Sequence, residues 1–265
     1  MVPVYLFLGA VIFIYGIIFG SFLNVCIYRI PKKESIVSTP SHCMNCGYRL
    51  KWYDLVPLFS FLFLKGRCRQ CKTKLSWQYP VVEALNGVLW VLTFLFCGMT
   101  WDSLLACFLI SALLVLSVID WRTYEIPLGI NLFIAILGMI NLLVHRDQWL
   151  MHALGFFCVS MLLLLLYWLT KGKGIGGGDI KLMAAAGLFL GWQLVIVAFL
   201  FGCLYACVIH IARMKLTDAG SVLALGPYLS AGILTAVWFG EPIIQWYVNL
   251  LHRIERKTKR RIVFR

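Results

Sequence analysis

Acidic residues are scarce in this chain. Only 11 Asp and Glu occur among 265 residues, against 24 Lys and Arg, and the formal net charge is +13. Charge of either sign is thin, at 13% of positions, roughly half the share of a water-soluble domain. That shortage excludes a soluble globular enzyme. No His-Glu-x-x-His pattern occurs either, which argues against a zinc protease built on that helix. What fills the chain instead is apolar: 62% hydrophobic residues and a mean hydropathy of +0.88.

The apolar residues come in runs of about span length, at Val4–Cys26, Val81–Cys97, Leu104–Ile119, Leu128–Val144, Leu150–Leu169, Leu194–Ala212 and Val222–Phe239. Several are short against the ~20 residues of a spanning helix. An eighth run, Leu182–Trp192, spans only if Ile180 and Lys181 belong to its start. The expected fold is an all-α polytopic membrane protein with about eight transmembrane helices. The first run is too long for a signal peptide and lacks a basic start, so it reads as a retained helix.

Lysine and arginine set the orientation. Ten of them lie between Arg29 and Lys74, which places that loop in the cytoplasm and the N-terminus outside. By the same count Arg122, Lys171, Lys173, Lys181, Arg213 and Lys215 fall inside, and the outer turns carry only Arg146. Eight spans put the C-terminus outside, yet Arg253–Arg265 holds seven basic residues. Either the tail escapes the rule, or one run is re-entrant or interfacial. Basic residues beside spans suit anionic lipid head groups, and not nucleic acid. Nothing in the sequence sets an oligomeric state.

Four segments follow: an N-terminal helix (1–27), a polar cytoplasmic insert (28–80), a membrane core (81–240) and a basic tail (241–265). The insert holds Cys43-x-x-Cys46 and Cys68-x-x-Cys71. Two such knuckles bring four thiolates around one tetrahedral Zn²⁺, with Gly47 and Gly66 supplying permissive backbone nearby. The alternative is a pair of disulfides, which a reducing cytoplasm disfavours. Four cysteines leave no open position for water, so the metal is structural. His42 is a possible substitute ligand beside a full set. The other six cysteines sit in or beside apolar runs and read as small hydrophobes, including Cys203 and Cys207, four residues apart.

Acids in or beside a bilayer are functional candidates by default. Asp120 closes the run ending Val118-Ile119-Asp120-Trp121-Arg122. Asp179 sits in Gly174-Ile175-Gly176-Gly177-Gly178-Asp179-Ile180-Lys181. The topology brings both to one membrane face, where two carboxylates sharing a proton supply the base and the acid of peptide hydrolysis. The glycines are expected to form a flexible turn that an extended substrate backbone can approach; by itself, such a turn also fits an ordinary loop capped by an aspartate. Lys181 either biases that acid or marks the membrane face. Glu83 and Glu125 are the other acids near the inner face. Gly16/Gly20 and Gly187/Gly191 read as close helix contacts. A proton or cation transporter would want the acids at mid-membrane, and an assembly scaffold would not need them.

Together these features carry a resemblance. The chain reads GSFLNVCIYRIP from Gly20 to Pro31, then Pro40-Ser41-His42-Cys43, Tyr53-Asp54, Pro57, Gly66-Arg67-Cys68 and Ser76-Trp77-Gln78-Tyr79-Pro80-Val81-Val82-Glu83. Asp120 with Ile126-Pro127, GGGDIKL and Leu225-Gly226-Pro227-Tyr228-Leu229 follow. This resembles the bacterial type IV prepilin peptidases, membrane aspartyl proteases of the GxGD class. The resemblance implies Asp120 and Asp179 as the catalytic pair. It implies a basic leader removed from prepilins or pseudopilins at the cytoplasmic face of the inner membrane. It further implies N-methylation of the new terminus with S-adenosylmethionine in the region of the insert, with Gly66, Arg67 and Glu83 as candidate methyl-donor residues. The chain departs from the family pattern at Met44, Phe61 and Arg67, where proline, tryptophan and lysine are usual; the last falls at a position tied to methyl transfer.

Overall fold

The computed structural model describes residues 2–172, 174–216 and 223–263; Lys173, Val222 and Arg265, which entered the charge and span reading, lie outside them. The described elements are α1 (Val2–Arg29), α2 (Phe59–Phe63), α3 (Gln78–Cys97), α4 (Trp101–Thr123), α5 (Leu128–Val144), α6 (Trp149–Leu169), α7 (Gly177–Leu190), α8 (Trp192–Leu216) and α9 (Gly226–Val263). Each apolar run has become a helix, because backbone groups in hydrocarbon must be satisfied within their own segment. The ends run past the apolar stretches, since tryptophan, tyrosine and arginine are tolerated at head-group level. Five segments are long and apolar enough to cross a bilayer: Val4–Arg29, Gln78–Cys97, Trp101–Thr123, Arg146–Leu169 and Trp192–Met214. With α5, α7 and α9 they make the multi-pass helical protein that composition demands.

Two helices differ from the expectation in a useful way. α7 begins at Gly177, so Ile180 and Lys181 do lie in its first turns, but its 14 residues rise only ~21 Å. α9 continues through Gly240, Glu241 and Pro242 into the basic tail as one 38-residue helix.

The chain divides into two compact units, residues 1–137 with 222–230 and residues 138–221 with 231–265. In the first, α1, α3 and α4 pack together. A Cβ on Gly16 would meet Gly87 Cα at 2.7 Å, and one on Gly20 would meet Glu83 Cα at 2.8 Å. The expected close contact is therefore real, and α3 is its partner. Asn86 Nδ2 donates to Gly16 O at 2.7 Å, Ser111 Oγ donates to Asn86 Oδ1 at 2.8 Å, and Trp90 Nε1 donates to Ser111 Oγ at 2.9 Å. Those bonds tie three helices through buried polar groups, where few competing partners exist. In the second unit α6, α7 and α8 pack together, and Gly187 rests on the backbone of Gly155. Gly191 ends α7 with φ +79° and belongs to the same expected close contact, since a Cβ on Gly155 would meet Gly191 C at 2.6 Å. Asn141 Nδ2 donates to Phe189 O at 2.9 Å.

Candidate functional site

The polar insert is built from one small pattern used twice. In the first knuckle Cys43 N donates to Tyr48 O, Gly47 N donates to Cys43 O, and Leu50 N donates to Ser41 O. In the second, Cys68 N donates to Thr73 O, Lys72 N donates to Cys68 O, and Leu75 N donates to Gly66 O. An isolated antiparallel bridge closes each, His42 to Arg49 and Arg67 to Lys74. Both loops need a left-handed residue at the same place, filled by Gly47 (φ +71°) and by Lys72 (φ +58°). Gly66 answers a different demand: its φ is +66°, and a Cβ there would stand 3.0 Å from the Phe61 ring.

The repeat delivers four sulfurs to one point. Cys43 and Cys71 Sγ lie 3.8 Å apart, Cys46 and Cys68 Sγ 4.0 Å, and all four fall within 4.8 Å of one another. Tetrahedral thiolates ~2.3 Å from a zinc ion are separated by about 3.8 Å. All ten cysteines are free thiols, so the two-disulfide alternative is not realised. A hydrogen bond with the Thr73 hydroxyl, aided by the Thr73 amide and Asn45, pulls the Cys71 thiol down to about 5. The Tyr48 amide also pulls on Cys46, yet desolvation and the neighbouring thiols push it up to about 11. His42 turns its Nδ1 to Pro40 O at 3.1 Å and stays outside the cluster. Cys203 and Cys207 lie on the outer surface of α8 rather than in a packed interior.

Asp120 sits in the last turn of α4, 4% exposed, in the first unit. Its Oδ2 accepts the Gly226 N–H at 2.9 Å, at the first residue of α9. A Cβ on Gly226 would lie 2.7 Å from that oxygen. Asp179 belongs to the second unit, 8% exposed, in the first turn of α7. A Cβ on Gly176 would lie 2.9 Å from Asp179 Oδ2. The expected flexible turn is shorter than its glycines suggest. Gly177 and Gly178 already belong to the helix, and Gly176 caps it. Each aspartate therefore rests against a glycine at a helix N-terminus. The role of Gly226 was missed in the sequence, although a glycine followed by proline is a readable sign of a helix start.

The three candidate methyl-donor residues do not share one cavity. Glu83, 6% exposed on α3, lines a space of about 580 Å³ between the end of α1, the insert and the start of α3, with Glu34, Asp54, Tyr28 and Tyr79. Its Oε2 accepts the Leu58 N–H at 2.9 Å. Leu58 has φ +60° and ψ −51°, and Phe59 N donates to Pro57 O at 2.6 Å, the geometry of a strained γ-turn. Glu83 thus fastens an unfavourable loop as well as facing the space. Gly66 and Arg67 line a separate groove and share only Phe61, Lys74 and Leu75 with the first. Asp54 is held by Arg69 Nε at 2.7 Å and by the Lys51 amide at 3.2 Å. Glu125 is exposed in the turn after α4.

Comparison with known proteins identifies two matching family models. Residues 14–97 match the bacterial peptidase A24 N-terminal domain, and residues 107–211, which include both aspartates, match the type IV leader peptidase family. Curated relatives named prepilin leader peptidase/N-methyltransferase include one from Myxococcus xanthus, 34% identical over 91% of this chain and 75% of its own length. Another is from Bacillus subtilis, 32% identical over 91% and 98%. A third is from Pectobacterium carotovorum, 36% identical over 82% and 88%. No solved structure matches the chain. The chain belongs to the type IV leader peptidase family.

Proposed function

We propose that this protein is a membrane aspartic endopeptidase that removes the leader of prepilins or pseudopilins and then N-methylates the new terminus. The observation that carries the reading is the pair of buried aspartates, each seated against a glycine at a helix start, within the segment matching the leader peptidases. Asp120 and Asp179 act as one coupled pair sharing a proton. The ionised carboxylate takes a proton from water, which attacks the scissile carbonyl. The protonated one donates to the carbonyl oxygen, and the proton collected from water goes to the leaving amine. No covalent intermediate forms. Lysine and arginine placement supports an inner-membrane protein with the insert and the aspartates on the cytoplasmic side.

Cys43, Cys46, Cys68 and Cys71 would hold structural zinc, whose spacing and donor chemistry they fit; the metal fixes the two knuckles to each other. The space beside Glu83 has the size of a small-molecule site. Glu34, Asp54 and Glu83 line it together with Arg29, Arg69 and Lys74, a mixed set suited to the sulfonium, amine and carboxylate of S-adenosylmethionine, which would supply a methyl group for the new terminal amine. Gly66 and Arg67 would bear on that space only through the shared Phe61, Lys74 and Leu75 wall.

The test is substitution of the pair. Asp120→Asn and Asp179→Asn keep shape and remove the titrating group, and each should lower cleavage by about three orders of magnitude or more, the double variant costing little further. Substantial turnover by either variant, correctly inserted, removes the pair from the mechanism.

A further inference from the structure

The insert carries a second groove, of about 380 Å³, which shares Phe61, Lys74 and Leu75 with the larger cavity and is not lined by the hydrolytic pair. Three cations, Lys65, Arg67 and Lys74, line it together with Leu62 and Trp77. Arg67 and Lys74 stand opposite each other in the antiparallel bridge that closes the second knuckle. Like charges in that position repel, so the arrangement is unfavourable unless an anion lies between them. Asp54 pairs with Arg69, Glu83 holds the Leu58 amide, and Glu34 lines the larger cavity and not this groove. None of the three cations is in an ion pair with a described residue.

Beside this basic rim is an apolar face that no described residue covers. α2 exposes Phe59 by 57%, Leu62 by 68% and Phe63 by 85%, and Trp77 is exposed by 71%. Trp77 is the residue on which α3 begins, so the face starts where a membrane span ends. Tryptophan at a span end sits at head-group level, and an amphipathic face there lies in the leaflet.

We infer that this face docks into the leaflet that α3 enters and that its groove binds the phosphate of an anionic phospholipid. Phe59, Leu62, Phe63 and Trp77 take the acyl boundary. Arg67 offers a planar fork to the phosphodiester oxygens, and Lys65 and Lys74 add point charges. The groove holds three cations and no acid, which suits a phosphodiester better than a sulfonium-bearing donor. The inference rests on reading the insert as lying against a membrane face, but not on the peptidase chemistry.

The experiment uses the full-length zinc-loaded protein in nanodiscs of phosphatidylcholine, with or without phosphatidylglycerol. Hydrogen exchange over residues 59–77 and labelling by a photoactivatable phosphatidylglycerol are read together. Phosphatidylglycerol should slow exchange over 59–67 and crosslink within 59–77. The combined Lys65→Gln, Arg67→Gln and Lys74→Gln variant should lower lipid retention on the order of a hundredfold at low salt, from roughly fivefold per charge. Zinc content of that variant reports whether the knuckles remain folded, and the crosslinking arm needs no variant. Equal exchange in both lipids, or labelling elsewhere on the chain, overturns the inference. So does protection of 59–67 by inorganic phosphate or by S-adenosylmethionine in phosphatidylcholine alone. Prepilin cleavage measured on the same samples fails or succeeds independently, which separates this claim from the proposed activity.

Discussion

Asp120 and Asp179 sit at opposite ends of their helices, one in the last turn of α4 and one in the first turn of α7. What they share is a glycine neighbour that leaves room for a carboxylate oxygen. Gly226 also donates its amide to Asp120. A methyl group at 226 would press on that oxygen from 2.7 Å. Gly226→Ala should therefore lower kcat by about tenfold to a hundredfold with KM little changed, because small displacements of a reacting group are expensive. Steady-state kinetics in detergent or lipid read this, and an unchanged kcat would show that Asp120 tolerates displacement. The two acids were legible in the sequence because carboxylates are rare in apolar surroundings. Their glycine partners were half legible: Gly176 stood in the motif, whereas Gly226 meets Asp120 across a sequence gap that no local pattern bridges. Glu83 was legible as an acid but not as an anchor. Glu83→Gln keeps an acceptor for the Leu58 amide and removes the charge, so it should reduce methylation and preserve the insert. Glu83→Ala should destabilise the insert by about 1–3 kcal/mol, leaving a buried amide unpaired. Thermal unfolding and product mass separate these outcomes; equal methylation by Glu83→Gln and parent would leave Glu83 a structural role only.

At the scale of elements, the insert is the part most dependent on a few atoms. Its described secondary structure is a 3₁₀ turn at Trp52–Asp54, the short α2 and two isolated bridges, too little apolar burial to hold 28–80 on its own. The four cysteines supply the missing constraint. Replacing Cys43, Cys46, Cys68 or Cys71 by Ser should abolish one equivalent of bound zinc and loosen both knuckles together, since site and local fold form as one. Metal analysis under reducing conditions checks it, and a wild-type protein that is metal-free yet has ordered knuckles would contradict it. Cysteine spacing made the cluster legible. The internal repeat was not, because only the cysteines, Leu50/Leu75 and Trp52/Trp77 recur at matching positions from 41–52 to 66–77; Gly47 is matched by Lys72, and backbone hydrogen bonds carry the rest. Helix ends were the least legible feature, as in α9, where the apolar run stops near Phe239 but the hydrogen-bonded helix does not.

For the whole molecule, composition was enough to demand a polytopic helical protein, and among the described residues each of the eight apolar runs falls mainly in a helix. What composition could not give is the pairing of helices, which depends on Gly16 and Gly20 meeting α3 and on Asn86 and Ser111 finding each other. The central claim is the proposed one: Asp120 and Asp179 act as a coupled carboxylate pair for leader removal, and the cavity beside Glu83 serves methyl transfer. The most direct measurement incubates the purified, zinc-loaded enzyme in lipid with a prepilin and S-adenosylmethionine, and reads the products by mass spectrometry. The account predicts a mature pilin cut after the glycine that ends the leader and heavier by one methyl group. It further predicts that Asp120→Asn abolishes the cut and that Glu83→Gln leaves it unmethylated. Uncut prepilin with the wild-type enzyme, or cleavage that survives Asp120→Asn, would contradict it.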